Sequence, residues 1–233
     1  MTKPNSFYTS DDLNIFKHAV NWKKYFSKKM SKYIEGDVLE VGPGLGSNTL
    51  YLLENTENII NSWTFVEPET NFINSLNKLS KSMNYKSKIY NSTIDKISGC
   101  YDTILYIDVL EHISNTNKEL EQIKLKLNPG GVLIVLVPCY NFLYSPFDKS
   151  VGHIKRYNKK ILKKEVDLEI TKLFYLDTFG LLASIANKFI LKKSMPNKGN
   201  ILFWDRFLVR ASIILDRFVF FKFGKSLIGI FKN

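Results

Sequence analysis

The side chains that could carry chemistry begin with an acidic residue and three glycines at alternate positions: Glu40, Gly42, Gly44 and Gly46. Glycine adopts the backbone angles of a tight turn, and its missing Cβ lets a ligand lie against the backbone. The apolar run 38–41 predicts a buried parallel strand, and the polar pair at 47–48 predicts the start of a helix. A strand, a glycine turn and a helix N-terminus together predict a nucleotide-binding loop, with amide N–H groups facing the ligand.

The spacing of the glycines separates two classes of nucleotide-binding loop. The dinucleotide fingerprint G-x-G-x-x-G needs its third glycine where this chain has Ser47, which argues against a nicotinamide-dependent dehydrogenase. The alternating pattern resembles motif I of the class I S-adenosylmethionine-dependent methyltransferases. This resemblance implies that Glu40 and the three glycines bind S-adenosylmethionine. The alternative is a glycine turn that binds no ligand.

Two later segments extend the cofactor side of this resemblance. The run 63–66 predicts the second strand, and Glu67 ends it, where an acidic side chain accepts hydrogen bonds from both ribose hydroxyls. Glu67 matches motif II of the family; the alternative is a solvated carboxylate without a ligand. Residues 91–95 lie where the family contacts adenine, which implies that role for Thr93 and Ile94.

The predicted fourth strand, residues 101–107, ends in a motif with titratable side chains, Asp-Val-Leu-Glu-His-Ile over residues 108–113. The motif resembles one that recurs in small-molecule methyltransferases of this class. Strand ends at the switch point of a doubly wound sheet face the ligand crevice, so we expect Asp108 to meet cofactor or acceptor. His112 is a candidate general base, because imidazole titrates near neutral pH. The alternative is a histidine that packs or caps near a helix start.

Absent motifs narrow the acceptor. No Asn/Asp-Pro-Pro-aromatic segment follows the fourth strand, which argues against methylation of amino groups on adenine or glutamine. No cysteine stands at that strand end, which argues against methylation of RNA cytosine at C5. Cys100 and Cys139 are too few and too far apart for a disulfide framework or a cysteine-ligated metal, so the sequence predicts no metal site.

The fifth predicted strand and the segment after it extend the resemblance. Leu-Asn-Pro-Gly-Gly at 127–131 predicts the end of a helix and a turn into this buried strand, residues 132–137. The segment 138–157 resembles the "P…LYSPFD…GHxRRY" segment of bacterial methyltransferases that accompany glycan and glycolipid enzymes. The resemblance implies a lid over the acceptor, with His153 as the preferred base and Arg156 as an acceptor anchor. The alternative is a structural lid in which both side chains only hold Asp148.

These segments must be positioned by a doubly wound α/β fold. We predict a seven-stranded, mainly parallel sheet of the Rossmann-like methyltransferase type, with an antiparallel last strand and a helical insertion before it. The chain reads as one domain of 233 residues. Its predicted parts are N-terminal helices (1–35), a cofactor-binding core (36–138), a lid and acceptor segment (139–160) and the helical insertion (178–222).

Composition bounds the class of protein and its partners. With 45% hydrophobic and 24% charged residues, the chain can bury a sizeable core. The net charge of +11 favours an anionic partner, although a Lys- and Asn-rich genome is an equal explanation. The N-terminus lacks the apolar segment of a leader, and few cysteines suit a reducing compartment, so we expect a cytoplasmic protein.

Residues 201–221 carry more apolar side chains than one helix face against a sheet requires. At about 100° per residue, we predict that the polar residues of this helix gather on one side: Asp205, Arg206, Arg210, Ser212, Asp216 and Arg217. With basic residues flanking it, including Lys222 and Lys225, the helix suits an anionic membrane surface at the inner face of the membrane, or a membrane glycosyltransferase. The alternative is burial within the fold or in a homodimer.

The sequence thus predicts an enzyme that transfers the methyl group of S-adenosylmethionine to a small-molecule or lipid-linked glycan-type acceptor, at oxygen rather than nitrogen or carbon. Two alternatives stay open. One is a non-catalytic, cofactor-binding scaffold that docks a membrane glycosyltransferase. The other is a nucleic-acid methyltransferase, for which the net charge is the sole support.

Overall fold

A computed structural model of the chain describes residues 16, 18–191 and 197–233. Within these residues one sheet runs in the order β3-β2-β1-β4-β5-β7-β6. Its strands are β1 (Gly36–Val41), β2 (Ile60–Val66), β3 (Lys86–Tyr90), β4 (Tyr101–Ile107), β5 (Leu127–Pro138), β6 (Glu169–Leu176) and β7 (Ser226–Lys232). Strands β1 to β5 pair in parallel, whereas β7 lies between β5 and β6 and is antiparallel to both. The predicted fold class is therefore confirmed.

Helices cover both faces of the sheet. The α-helices are α1 (Val20–Met30), α2 (Thr49–Asn55), α3 (Thr70–Ser82), α4 (Thr116–Lys126), α5 (Pro146–Ser150), α6 (Lys159–Val166), α7 (Thr178–Ala186), α8 (Lys198–Phe203) and α9 (Arg210–Phe218). Short 3₁₀ turns occupy Ser31–Tyr33, Ile94–Lys96, Leu110–His112 and Asn141–Leu143, and π-helical turns occupy Asn187–Leu191 and Trp204–Val209.

Alternate residues of the central strands enter two separate hydrophobic clusters, one on each face of the sheet. Val38 of β1 and Leu105 of β4 pack on one face with helices α1, α2 and α3. Their neighbours Leu39 and Ile104 pack on the opposite face with helices α4 and α6. Because a strand sends successive side chains to opposite faces, strands that are apolar throughout are buried on both sides.

Strand β5 begins earlier than the sequence predicts. The Leu-Asn-Pro-Gly-Gly segment lies inside it, since the strand runs from Leu127 and α4 ends at Lys126. The pairing with β4 jumps from Tyr101↔Leu127 to Thr103↔Val132, so the proline and glycines form a bulge. The predicted end of the helix is confirmed, because α4 ends at Lys126 directly before this segment. The predicted turn ahead of the strand is wrong, because these residues form a bulge within β5.

Among the predicted N-terminal helices, the apolar periodicity of residues 11–34 predicts one helix, and its described part contains helix α1. It runs from Val20 to Met30 and continues as a 3₁₀ turn, while residues 11–15 and 17 of the predicted helix lie outside the described residues. Helix α7 begins at Thr178, where the predicted helical insertion begins, and the Asp177 side chain caps it by accepting a hydrogen bond from the Gly180 N–H at 3.0 Å.

Helices α8 and α9 and the π-helical turn between them form one continuous insertion helix, residues 198–218. Its polar residues do not share one side, contrary to the sequence prediction. Asp205, Ser212 and Asp216 are buried against the fold, whereas the arginines are exposed. The acidic side chains turn inward because buried backbone N–H groups need acceptors: Asp205 accepts from the N–H groups of Asn21 and Trp22.

Candidate active site

The predicted site residues lie along one edge of the sheet. The carboxyl ends of β1, β2, β4 and β5 meet there, and β7 begins there because it runs antiparallel, with Ser226 opposite Pro138. The crevice outside the carboxyl ends of parallel strands, where the strand order reverses, is where open α/β sheets bind ligands. In this sheet the order reverses between β1 and β4.

The glycine loop follows β1 at this edge. Gly42, Gly44 and Gly46 all have positive φ angles, of 64°, 57° and 71°, which side chains with a Cβ rarely adopt. A Cβ on Gly42 would lie 2.8 Å from the Val109 side chain, and one on Gly46 would lie 2.5 Å from that of Leu79. Two of the glycines therefore also allow the loop to pack closely against β4 and α3.

Glu67 lies at the end of β2, beside the glycine loop. Its two carboxylate oxygens accept hydrogen bonds of 2.9 Å from the N–H groups of Gly44 and Glu69. Burial raises the pKa of Glu67, and these two hydrogen bonds oppose that rise. The side chain predicted to hold the ribose thus contacts the loop predicted to hold the rest of the cofactor, which makes the two motifs one site.

Glu40 lies behind the loop. One carboxylate oxygen accepts hydrogen bonds from the Thr49 hydroxyl at 2.8 Å and from the Trp63 indole N–H at 3.0 Å. The side chain is 2% exposed, and burial raises its pKa to about 7. Glu40 therefore joins β1 to the start of α2 and to β2; the cofactor contact predicted for it remains a prediction.

The predicted adenine contacts follow β3. Thr93 is exposed and precedes the 3₁₀ turn Ile94–Lys96, whereas the Ile94 side chain is 1% exposed and packs in the core. Any contact of Ile94 with a ligand would therefore come from its backbone. Asn91 supports this corner by donating hydrogen bonds to the carbonyls of Glu67 and Pro68 at 2.9 and 3.0 Å.

Asp108 ends β4 in a left-handed conformation, with φ of 54°. Asp adopts this conformation more readily than most residues, and such angles concentrate at functional sites. The Asp108 N–H donates to the Leu136 carbonyl at 2.9 Å, so the strand end is fixed by β5. Burial raises the pKa of Asp108 to about 6, although the nearby charges of His153 and Lys225 work against the rise.

The lid crosses this edge of the sheet, and a β-bridge between Cys139 and Tyr157 holds its two ends together. Its centre is Asp148, which is fully buried. Asp148 accepts hydrogen bonds from the Ser145 N–H and hydroxyl, both at 2.8 Å, and from His153 Nδ1 at 2.7 Å. Burial alone would raise the pKa of Asp148, but these bonds and those of Arg156 hold it well below its usual range.

Arg156 is committed to the lid itself. Its guanidinium makes a bidentate pair with the Asp148 carboxylate, donating from Nε at 2.8 Å and from Nη2 at 3.0 Å. It also donates from Nη1 to the Cys139 carbonyl at 3.2 Å. The residue is 7% exposed. Arg156 therefore performs the structural task that the alternative interpretation assigned to it, and its predicted role as acceptor anchor stays a prediction.

The two candidate bases lie side by side. The rings of His112 and His153 meet edge to face with centroids 4.8 Å apart. Burial lowers the pKa of His112 to about 4, and the nearby His153 adds to that effect, so His112 is neutral at neutral pH. His153 is held by Asp148 through Nδ1, which leaves Nε2 as the nitrogen that can take a proton. The geometry thus makes His153 the better-oriented of the two.

Sequence reasoning assigned no role to two charged residues of this site. Glu111 is fully buried beside His153, with Oε1 3.8 Å from His153 Nε2. Lys225, interpreted from sequence as a basic flank of the membrane helix, has its charge close to Asp177, Asp108 and Asp148, and burial lowers its pKa. The sequence offered a signal for Glu111, because it stands next to the candidate base His112. It offered none for Lys225, because the place of Lys225 at the site depends on how β7 enters the sheet.

Two observations of the structure fit S-adenosylmethionine, the cofactor that the glycine motif implies. The three glycines of the loop have positive φ angles, and the acidic side chain that follows β2, Glu67, accepts a hydrogen bond from the loop backbone. Both features are those expected around an adenosine moiety. The residues that would hold the cofactor are Gly42, Gly44 and Glu67.

Comparisons with known proteins identify the family. The profile of one family, described as a methyltransferase domain, matches residues 18–177. (S)-coclaurine N-methyltransferase of Thalictrum flavum subsp. glaucum is 28% identical over 116 residues, which are 48% of this chain and 32% of that protein. The polyketide synthase-nonribosomal peptide synthetase pyiS of Pyricularia grisea is 25% identical over 138 residues, 54% of this chain. The match covers about a third of the first relative and 3% of the second.

A solved structure agrees at the level of the fold. The N-methyltransferase NodS from Bradyrhizobium japonicum WM9, in complex with S-adenosyl-L-homocysteine, superimposes with a TM-score of 0.58 at 12% identity. The alignment covers 97% of this chain and 94% of that one. The family profile over residues 18–177 therefore shows that the chain belongs to the methyltransferase-domain family, and the superposition and the strand order of the sheet agree with the fold of such proteins.

Proposed function

We propose that the protein methylates a hydroxyl oxygen of a lipid-linked, glycan-type acceptor. S-adenosylmethionine, when bound, supplies a methyl group on a positively charged sulfur. The acceptor oxygen forms the new C–O bond, and the sulfur keeps the electron pair of the broken C–S bond. Glu67 and the glycine loop hold this cofactor. The lid and the end of β4 receive the acceptor.

The side chains at the acceptor end favour oxygen over nitrogen. A neutral amine can attack with its lone pair, whereas a hydroxyl must lose a proton, so a hydroxyl acceptor needs a base. Two carboxyl groups and an imidazole lie close together at the acceptor end of the crevice, those of Asp108, Glu111 and His153. His153 Nε2 accepts the proton in this proposal, while Asp148 keeps the ring in the required tautomer.

Support for a lipid-linked acceptor comes from an exposed surface beside the fold. We call this surface the aromatic face. Its apolar side chains are each more than half exposed, and they are Phe203, Phe207, Ile214, Phe218, Phe220 and Phe223. Arg206, Arg210, Arg217 and Lys222 are exposed beside them. Apolar side chains bordered by cations fit an anionic bilayer surface, which we propose as the partner of this face.

The arrangement of charges in the insertion helix strengthens this assignment. Its acids are buried and its arginines face solvent, so the outward surface is apolar and cationic without interruption by carboxylates from this helix. Among the helices of the described residues, none combines the length and the apolar character that crossing a bilayer requires. A surface-bound enzyme would reach an acceptor whose lipid stays in the membrane.

The observation that carries the proposed function is the hydrogen bond between Gly44 of the loop and Glu67 of β2. Replacing Gly44 with Val places a branched side chain at a φ of 57°, so we expect the loop to change shape and cofactor binding to be lost. Calorimetric titration with S-adenosylmethionine measures the loss. Gly99→Val, at another positive-φ glycine outside the loop, serves as the matched control.

Turnover is then assayed with radiolabelled S-adenosylmethionine and a membrane lipid extract. Label in a lipid fraction that alkaline hydrolysis does not release excludes a methyl ester, and mass spectrometry of the sugars freed by acid hydrolysis then distinguishes an O-methyl from an N-methyl group. Cofactor binding without transfer to any extract would instead favour the scaffold alternative. Unchanged affinity in Gly44→Val would contradict the cofactor site, and transfer to RNA or DNA alone would contradict the acceptor.

A further inference from the structure

One buried carboxylate has no hydrogen-bonding partner to account for its position. Glu111 is 0% exposed, and within the described residues neither of its carboxylate oxygens has a hydrogen-bond partner. Burying an ionised carboxylate without partners is unfavourable, so such a group keeps its proton, pairs with a cation or ligates a metal. The backbone of Glu111 is fixed in place, because its carbonyl accepts from the Ile154 N–H of the lid at 2.8 Å.

Two imidazole rings, those of His112 and His153, lie beside this carboxylate. Asp148 is paired with the Arg156 guanidinium and accepts a hydrogen bond from His153 Nδ1, so Nε2 is the ring nitrogen of His153 that faces away from Asp148. That nitrogen lies 3.8 Å from Glu111 Oε1. His112 is hydrogen-bonded to the backbone of Gly152, and its ring belongs to the same group of potential ligand side chains as Glu111 and His153.

We propose that Glu111, His112 and His153 bind a divalent transition-metal ion at the acceptor end of the crevice. The three side chains each offer one ligand atom, and these atoms lie within 4.8 Å of one another. Two ligand atoms bound to a tetrahedral metal lie about 3.4 Å apart, so the His153–Glu111 pair needs to close by less than about 0.5 Å. The His112 ring needs a larger adjustment.

The donor set defines the class of metal. Two imidazole nitrogens and one carboxylate suit Mn²⁺, Co²⁺ or Zn²⁺, whereas Ca²⁺ and Mg²⁺ prefer oxygen ligands throughout. Asp148 completes the arrangement from outside, because a carboxylate on the far nitrogen of a ligating histidine orients the ring and strengthens the ligand. Three protein ligands leave positions open for water or an acceptor oxygen.

The role of the ion rests on the proposed methyl transfer to oxygen. A hydroxyl bound to the metal loses its proton to water more readily, because the cation stabilises the alkoxide. In the metal-loaded protein His153 Nε2 would serve as a ligand, and this role would replace the role of proton acceptor that the proposed function gives to the metal-free site. The sequence predicted no metal site because that prediction considered cysteine spacing, and this donor set contains no cysteine.

The test uses the intact protein, freed of metal by chelation and titrated separately with Mn²⁺ and Co²⁺. Calorimetry gives stoichiometry and affinity, and the Mn²⁺ electron paramagnetic resonance spectrum reports the free ion. We expect one ion per chain, and an affinity loss of about 100-fold or more in both Glu111→Gln and His153→Ala. Glu111→Gln removes a buried, unpaired carboxylate, so the variant should fold; its melting temperature verifies this.

Glu119→Gln is the matched control, because Glu119 is also a largely buried glutamate but is paired with the Tyr106 hydroxyl at 2.6 Å. This variant should bind the ion like the unmodified protein. Absence of binding, or equal affinity in Glu111→Gln and Glu119→Gln, would overturn the proposal.

The same metal-free samples are titrated with S-adenosylmethionine. Cofactor binding without metal binding refutes the metal site and leaves the proposed function standing. Metal binding at Glu111 without cofactor binding supports the metal site and refutes the proposed function.

Discussion

Glu40 is a single residue whose charge state depends on pH near neutrality. Burial raises its pKa from 4.5 to about 7 in the folded protein. Between these values the unfolded chain has lost the proton and the folded protein retains it, so the free energy of unfolding falls as pH rises from about 4.5 to 7. Above pH 7 both states are ionised and the loss is complete. Its full size is on the order of 3 kcal/mol.

We expect Glu40→Gln to remove this part of the pH dependence, because an amide oxygen can still accept from Thr49 and Trp63 and carries no charge. Urea unfolding at pH 5 and pH 8 measures the difference in each protein. Glu121→Gln, at an exposed glutamate, is the control and should keep the dependence of the unmodified protein. An identical pH dependence in Glu40→Gln would show that the carboxylate is not buried as described.

At the scale of elements, the insertion helix is held by carboxylates that satisfy the ends of other helices. Asp216 accepts four hydrogen bonds: from the Tyr25 hydroxyl at 2.9 Å, the Asp177 N–H at 2.8 Å, the Thr178 N–H at 2.9 Å and the Thr178 hydroxyl at 2.6 Å. It thereby joins α1, the start of α7 and α9. Its neighbour Ser212 adds a bond from the Phe179 N–H at 3.0 Å.

Asp216→Ala would leave these buried donors without an acceptor, so we expect the free energy of unfolding to fall by about 3 kcal/mol or more. Thermal and urea unfolding measure the loss. Arg217→Ala, at the exposed neighbouring position, should change stability by less than about 0.5 kcal/mol. A loss below about 1 kcal/mol in Asp216→Ala would mean that other groups, or water, replace the aspartate as acceptor.

At the scale of the whole molecule, a net charge of +11 and the aromatic face together predict binding to anionic bilayers. We expect the protein to sediment with vesicles containing phosphatidylglycerol at low salt, and less so as salt rises. Phe207→Ser combined with Phe218→Ser should weaken this binding at least about tenfold, since each buried CH₂ group contributes about 0.8 kcal/mol. Both side chains are exposed, so the fold should be kept.

Ile59→Ser combined with Leu125→Ser is the control, because these residues are equally exposed but lie outside the aromatic face. It should bind vesicles like the unmodified protein. Protein that stays in the supernatant at low salt would contradict the membrane surface. A concentration-dependent dimer that the two Phe→Ser changes abolish would assign the face to a second copy of the chain.

The sequence by itself determined the features that depend on spacing within one element. The alternating glycines after residues 38–41 located the loop, and the residue after each strand located Glu67 and Asp108 at the same edge. The order of strands and helices determined the fold class, because parallel strands joined by helices have few possible arrangements. The cap of α6 is a local feature of the same kind, because the Asn158 side chain accepts from the Ile161 N–H, only three residues away.

Tertiary structure alone decided which groups face one another. Asp216 and Tyr25 are 191 residues apart in sequence, so periodicity could not show that the insertion helix turns its acids inward. The same holds for Glu111, whose buried carboxylate meets His153 only because the lid folds back over the end of β4. Burial and pairing across the sheet set these positions, since a buried charge or N–H group is stable only where the fold brings its partner.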